Sequence, residues 1–154
     1  MGGSPVFISI SDLLKRVPCA KADIKGNRNA PHLSGSAKFY PWANGTIVKI
    51  ELINLPIKPS PFAVHIHEGK ACVPDDFSKA GGHLNPEGLS HPAHAGDLPS
   101  IFSNNGYGYM IIYTDRFRTR DIIGKPIIIH MDPDDYRTQP AGNSGERIGC
   151  GIIK

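Results

Sequence analysis

Long apolar runs are missing from this sequence: no stretch of the 154 residues approaches the ~18 apolar positions of a membrane-spanning helix. No membrane partner is expected. Charge of one sign is scarce as well. Seventeen Lys and Arg stand against 14 Asp and Glu, and a balance of +3 is too small to mark nucleic acid as a partner. Cysteine is sparse. Cys19, Cys72 and Cys150 allow one disulfide and leave one thiol over, so their number fixes neither pairing nor compartment, and their spacing excludes a zinc ribbon. The opening run MGGSPVFISISDLLKRVPC lacks a positive stretch followed by an apolar one, so an intact secretory signal is not expected there.

Helical periodicity is confined to one place. Ile10, Leu13, Leu14 and Val17 recur at helical spacing behind Ser11, a good N-cap, and Pro18 closes the segment, which predicts a short helix. Residues 1–21 read as an N-terminal extension and 22–154 as one domain. From there on apolar segments are short, β-branched and bounded by Gly, Pro, Asn or Asp, the signature of strands. The 17 glycines and 14 prolines make about a fifth of the chain, which predicts many loops. Strands are expected at 22–26, 35–40, 46–53, 62–67, 107–114, 127–130 and 148–153, with Asn44-Gly45 as a hairpin turn between the second and third. In the third, Val48, Ile50 and Leu52 share one face. With no βαβ rhythm and no internal repeat, an all-β sandwich or Greek-key barrel is favoured over an α/β fold. Two long segments, 68–102 and 131–146, carry no strand pattern, and loops of that length in a compact domain are usually functional.

Six of the seven histidines fall between positions 65 and 130, in or beside those loops. Strand alternation puts Phe62, Val64 and Ile66 on one face and His65 and His67 on the other, a ready chelating edge. His83, His91, His94 and Asp97 follow on one loop; three imidazoles and a carboxylate make a closed tetrahedral set suited to zinc, whereas imidazole-rich sites with an open position suit copper. His130 ends an apolar run, 127–129, where a polar group needs a partner, and a metal would supply one. His32, in a turn-like stretch, reads as surface. A zinc hydrolase would need a general base, and neither Glu68 nor Glu87 sits in an HExxH helix.

Four motifs carry a family resemblance in this chain order: His65-Ile66-His67-Glu68, Gly82-His83, His94-Ala95-Gly96-Asp97, and the run from Gly142 through Arg147 and Cys150 to Gly151. Together they resemble the copper, zinc superoxide dismutases, over residues 22–154. The resemblance implies an eight-stranded antiparallel Greek-key β-barrel with two long functional loops and superoxide as substrate. It implies copper on His65, His67, His83 and His130, and zinc on His83, His91, His94 and Asp97, with His83 bridging the two metals and carrying a proton in the reaction. Arg147 takes the place of the family's active-site arginine, Cys72 and Cys150 that of its disulfide, and Asp134 that of the aspartate joining a copper histidine to a zinc histidine. Because His91 and His94 lie on a long loop, losing Asp134 is expected to empty the zinc set first. The short run from His67 to Cys72 is similar to bacterial members. Two features depart from the family pattern: the final loop carries Asp132, Asp134, Asp135 and Glu146 against Arg137, and the N-terminal helix has no clear counterpart. A monomer or homodimer outside the cytoplasm, periplasmic or secreted, is expected, with the cytoplasm as the alternative. The competing functional reading is a copper and zinc buffering or delivery protein with little turnover.

Overall fold

Alternation of apolar and polar residues builds most of the barrel wall. In β1 (Ala20–Gly26), Ala20, Ala22 and Ile24 point inward while Lys21, Asp23 and Lys25 face water. The next strands, β2 (Ser34–Trp42) and β3 (Gly45–Ile53), bury Ala37, Phe39, Val48, Ile50 and Leu52 against it. The computed structural model describes residues 7–154; the first six residues of the N-terminal extension lie outside the described residues.

Among the described residues, nine strands pair in one antiparallel sheet. The remaining six are β4 (Phe62–Ile66), β5 (Asp97–Ile101), β6 (Ser103–Asn104), β7 (Tyr107–Thr114), β8 (Pro126–His130) and β9 (Arg147–Ile152). The order across the sheet is β5-β4-β8-β9-β1-β2-β3-β7-β6. Its two edges, β5 and β6, are separated along the chain only by Phe102, so the chain itself draws the edges together and the barrel is nearly closed. Phe39, Phe62, Ile24, Ile50, Ile127 and Ile148 fill its interior.

The sequence pattern places seven strands and the resemblance implies eight; the two not placed from the pattern are β5, within the segment 68–102 expected to be loop, and β6, just after it. β5 contains Pro99, which argues against a strand from sequence but is tolerated here because β5 pairs on one side only, with β4. β6 is two residues long, below any periodicity. The first hairpin is shifted by one position from the expected turn: Trp42 pairs with Gly45, so Ala43 and Asn44 form the turn and Ala43 takes φ 47°. A second hairpin, Asn105-Gly106 between β6 and β7, has φ 52° and 87°, both in the left-handed region that such two-residue turns need.

The short helix α1 (Ile10–Leu14) is present, but its N-cap is Ser9, whose Oγ accepts from the Asp12 amide at 3.1 Å, and not Ser11. Of its apolar residues only Leu13 is buried, against Tyr40 and Ile47 on the outside of the barrel; Ile10, Leu14 and Val17 remain exposed.

One patch of the outer wall matters for function. Val64 pairs with Ile129 facing inward, so His65, paired with Ile128, faces outward, as does His130 at the end of β8. This outer face of β4 and β8 is roofed by the segments 67–96 and 131–146, which makes both faces of these strands buried.

Candidate metal centre

Two strands and one long loop bring the seven expected ligands together. His65 and His130 project from β4 and β8, and His67 follows β4 with its amide still bonded to the Pro126 carbonyl at 2.8 Å. His83 is brought alongside by an isolated antiparallel bridge to His67. His91, His94 and Asp97 come from the end of the first loop. They form two groups, His65/His67/His83/His130 and His83/His91/His94/Asp97, all seven side chains buried, with the ligand atoms of each group within 4.8 Å of one another. His83 belongs to both.

The hydrogen bonds decide which ring nitrogen faces inward. Asp134, a carboxylate and so an acceptor, bonds His65 Nε2 at 2.7 Å through Oδ2 and His91 Nε2 at 2.8 Å through Oδ1. The Gly81 carbonyl can only accept, and it takes His67 Nδ1 at 2.8 Å; the Gly145 carbonyl lies 3.5 Å from His130 Nδ1. These partners assign the protons to the outer nitrogens, leaving lone pairs on His65 Nδ1, His67 Nε2, His130 Nε2 and His91 Nδ1. The first three face one another: His65 Nδ1 is 3.1 Å and His67 Nε2 3.4 Å from His130 Nε2. On the other side, His94 Nδ1 and His83 Nδ1 are 3.3 Å apart, and Asp97 Oδ1 is 2.7 Å from His83 Nδ1.

This arrangement fits the two metals. Four ligands at metal–nitrogen distances of ~2.0–2.1 Å and tetrahedral angles stand about 3.3 Å apart, close to the spacings observed. Facing lone pairs repel unless a cation lies between them. His83 Nε2, on the copper side, and His91 Nδ1, on the zinc side, are buried without a hydrogen-bond partner among the described residues; His91 Nδ1 lies 3.0 Å from Asp97 Oδ2 but without hydrogen-bond alignment. An orphaned buried acceptor is costly, and each of these two points into one group.

Burial holds His65, His67 and His130 below the usual imidazole range, with the charges of neighbouring histidines adding to it and their hydrogen bonds opposing it. They are therefore neutral, the form that binds metal. Burial alone would raise the two carboxylates, but the histidines outweigh it: bonds from His65 and His91 bring Asp134 down to about 2, and Asp97 is lowered by His83, His91 and His94.

Arg147, on β9 beside His130, is half-buried and aimed by two carbonyls, donating to Phe77 at 2.9 Å and to Gly81 at 2.6 Å. A disulfide joins Cys72 to Cys150 across 78 residues, tying the loop that carries Phe77 and Gly81 to the strand that carries Arg147. Cys19 is free and exposed. Arg147 lines a cleft of about 590 Å³ together with His67, His83, His130 and Asn143. The backbone partners of the site had no sequence signal, with one exception. Gly81, at φ 74° and ψ −158°, adopts a conformation open to glycine alone, and its carbonyl serves both His67 and Arg147. Gly142, at φ 68°, is similarly required, since a Cβ there would strike both Asp134 and His91.

Barrel and site together define a Greek-key protein with two buried ligand groups that could each hold a metal ion and that share one histidine. A family model described as Copper/zinc superoxide dismutase (SODC) matches residues 33–153. The chain is 37% identical over 135 residues to Superoxide dismutase (Cu-Zn) 1 of Aquifex aeolicus, covering 78% of this chain and 79% of the relative. It is 36% identical over 159 residues to the Cu-Zn enzyme of Deinococcus radiodurans, covering 89% and 85%. A crystal structure of a SOD-like protein from Bacillus subtilis superposes with a TM-score of 0.75 at 30% identity, covering 86% of this chain and 96% of that one. The fold also matches the Cu/Zn superoxide dismutase of Brucella abortus, with a TM-score of 0.76 and 22% identity, covering 88% and 99%. This chain belongs to the copper/zinc superoxide dismutase family.

Proposed function

We propose that the protein converts two superoxide anions and two protons into dioxygen and hydrogen peroxide, with copper on His65, His67, His83 and His130 and zinc on His83, His91, His94 and Asp97. The observation that carries this reading is the convergence of inward lone pairs on both sides of one shared imidazole, at the foot of a cleft with a single arginine at its wall. Copper, when bound, would supply a one-electron redox couple, and zinc would be held by the group that shares His83. The chain's own residues do the rest. Arg147, its guanidinium fixed by Phe77 and Gly81, orients the anion by charge-assisted hydrogen bonding. His83 holds a proton at Nε2 whenever that nitrogen is not a ligand and delivers it to the reduced substrate. Asp134 fixes the tautomers of His65 and His91.

The disulfide supports an extracytoplasmic site of action, periplasmic or secreted, since such bonds persist in oxidising compartments. A monomer or homodimer, as read from the sequence, is part of this proposal, and sedimentation of the loaded protein tests it. The competing buffering role keeps the ligands but needs neither a cleft nor Arg147. Turnover separates them: the reconstituted protein should speed the conversion of superoxide to equal amounts of dioxygen and peroxide well beyond its spontaneous rate, and metal binding with no acceleration would favour buffering.

A further inference from the structure

Three of the four zinc-group ligands lie within the seven residues 91–97, a segment with no helix and, before Asp97, no strand. Its one internal backbone bond is a turn, from the Asp97 amide to the His94 carbonyl; the Ala93 amide turns back to Ser90 just before it, and its backbone ties to the neighbouring chain are confined to Gly96, whose amide bonds the Leu84 carbonyl and whose carbonyl accepts from the Ile66 amide. Left to itself, such a segment would lose backbone freedom on binding metal, at ~1–2 kcal/mol per residue ordered.

Two side chains from outside the segment grip its backbone from different elements. Arg116 follows β7, next to the buried Phe117, whose carbonyl accepts from Thr46 Oγ1 at 3.4 Å. Its Nη1 donates to the Pro92 carbonyl at 2.7 Å and the His94 carbonyl at 3.2 Å, and lies 3.5 Å from that of Asp97. Gln139 reaches across from the final loop and pairs with both backbone groups of His91. Its Oε1 accepts the His91 amide at 2.9 Å, and its Nε2 donates to the His91 carbonyl at 2.6 Å. With Asp134 on Nε2, every polar atom of His91 except Nδ1 has a protein partner.

We propose that Arg116 and Gln139 are positioning residues that preset the segment 91–97, so that His91, His94 and Asp97 stand in ligand geometry before zinc arrives. This rests on the reading of that group as a zinc site. The charges make the role separable from electrostatics. A guanidinium close to the segment repels a divalent cation through space, so Arg116 opposes zinc by its charge while favouring it by its grip. Arg116→Gln and Gln139→Glu each make the surroundings more negative by one charge. Each also breaks part of the grip: a glutamine at 116 carries one amide donor group on a shorter side chain in place of the guanidinium fork, and a glutamate at 139 cannot donate to the His91 carbonyl.

The test is zinc affinity of the full-length, disulfide-intact protein by competition with a chromogenic chelator, together with hydrogen exchange of the His91 amide in the metal-free state. Both variants should bind zinc roughly 10- to 100-fold more weakly, the usual scale for partners that orient ligands, and Arg116→Lys, which keeps the charge and up to three donors, should recover part of the loss. The His91 amide should exchange faster in Gln139→Leu, which removes its acceptor. Unchanged or tighter zinc binding in Arg116→Gln and Gln139→Glu would overturn the proposal. Wild-type protein that binds no zinc at this group would instead overturn the assignment of the site, and the proposal with it.

Discussion

Asp134→Asn is the substitution whose outcome the structure specifies most closely. Oδ1 of Asp134 accepts from His91 Nε2 at 2.8 Å and from the Tyr136 amide at 2.7 Å, while Oδ2 accepts only from His65 Nε2 at 2.7 Å. An asparagine has one acceptor oxygen, and it keeps more bonds by placing that oxygen at the Oδ1 position. Its amino group then faces the His65 Nε2 proton, donor against donor. His65 relieves the clash by moving its proton to Nδ1, the nitrogen that faces His130 in the copper group. Restoring the ligand tautomer forfeits a hydrogen bond to a charged acceptor, worth ~1.5–3 kcal/mol, so copper affinity should fall roughly 10- to 150-fold. Zinc, through the retained His91 bond, should fall less. This reverses the order expected from loop position alone, because the bond count favours His91 over His65. Separate chelator titrations of copper and zinc in the Asn variant provide the assay. Affinities equal to wild type, or a loss confined to zinc, would refute the reasoning.

Arg147→Gln should lower turnover roughly 10- to 150-fold, the worth of a charge-assisted bond to the anion, while metal analysis finds both metals retained; loss of copper would contradict a substrate role. Reducing the Cys72–Cys150 bridge frees a 78-residue span, worth about 4.5 kcal/mol in the chain-entropy model, and calorimetry should show Tm lower by about 10–18 °C; three free thiols in the untreated protein would end that expectation. In the metal-free protein the lowered His65, His67 and His130 bind fewer protons folded than unfolded, so stability should decline as pH falls below about 6.5, with a further loss as Asp134 protonates between 3.8 and about 2. Urea unfolding that is unchanged between pH 7.5 and 5 would contradict this. Glu68 and Arg147 both line the cleft, so turnover should respond only weakly to salt, and a steep fall with ionic strength would reveal a steering field from elsewhere on the surface.

Alternation along residues 62–67 was enough to place His65 and His67 on one face, and the density of donors on one loop was enough to nominate His83, His91, His94 and Asp97 as a set, while the sharing of His83 and the completion of the other group by His130 came from the family resemblance. What stayed hidden has a physical reason in each case. β5 was obscured by Pro99, and its first residue is Asp97, which serves the site and the sheet together. Apart from Gly81, where the glycine itself is a signal, the carbonyls of Phe77 and Gly145 aim Arg147 and His130, yet every residue has a carbonyl and none announces its direction. Nothing in the sequence marks Arg116 and Gln139, since their partners are backbone atoms 22 and 48 positions away. Helical spacing at residues 10–17 was legible, but the buried side of so short a helix reduced to Leu13, and the cap shifted to Ser9.

The central claim is tested most directly by following superoxide decay in a stopped-flow or pulsed experiment with protein holding one copper and one zinc per chain. The account predicts catalysed decay that is first order in both superoxide and protein, and that falls to the spontaneous rate when copper alone is removed. Decay no faster than with the metal-free protein, or no faster than with the same copper held by a chelator, would contradict it.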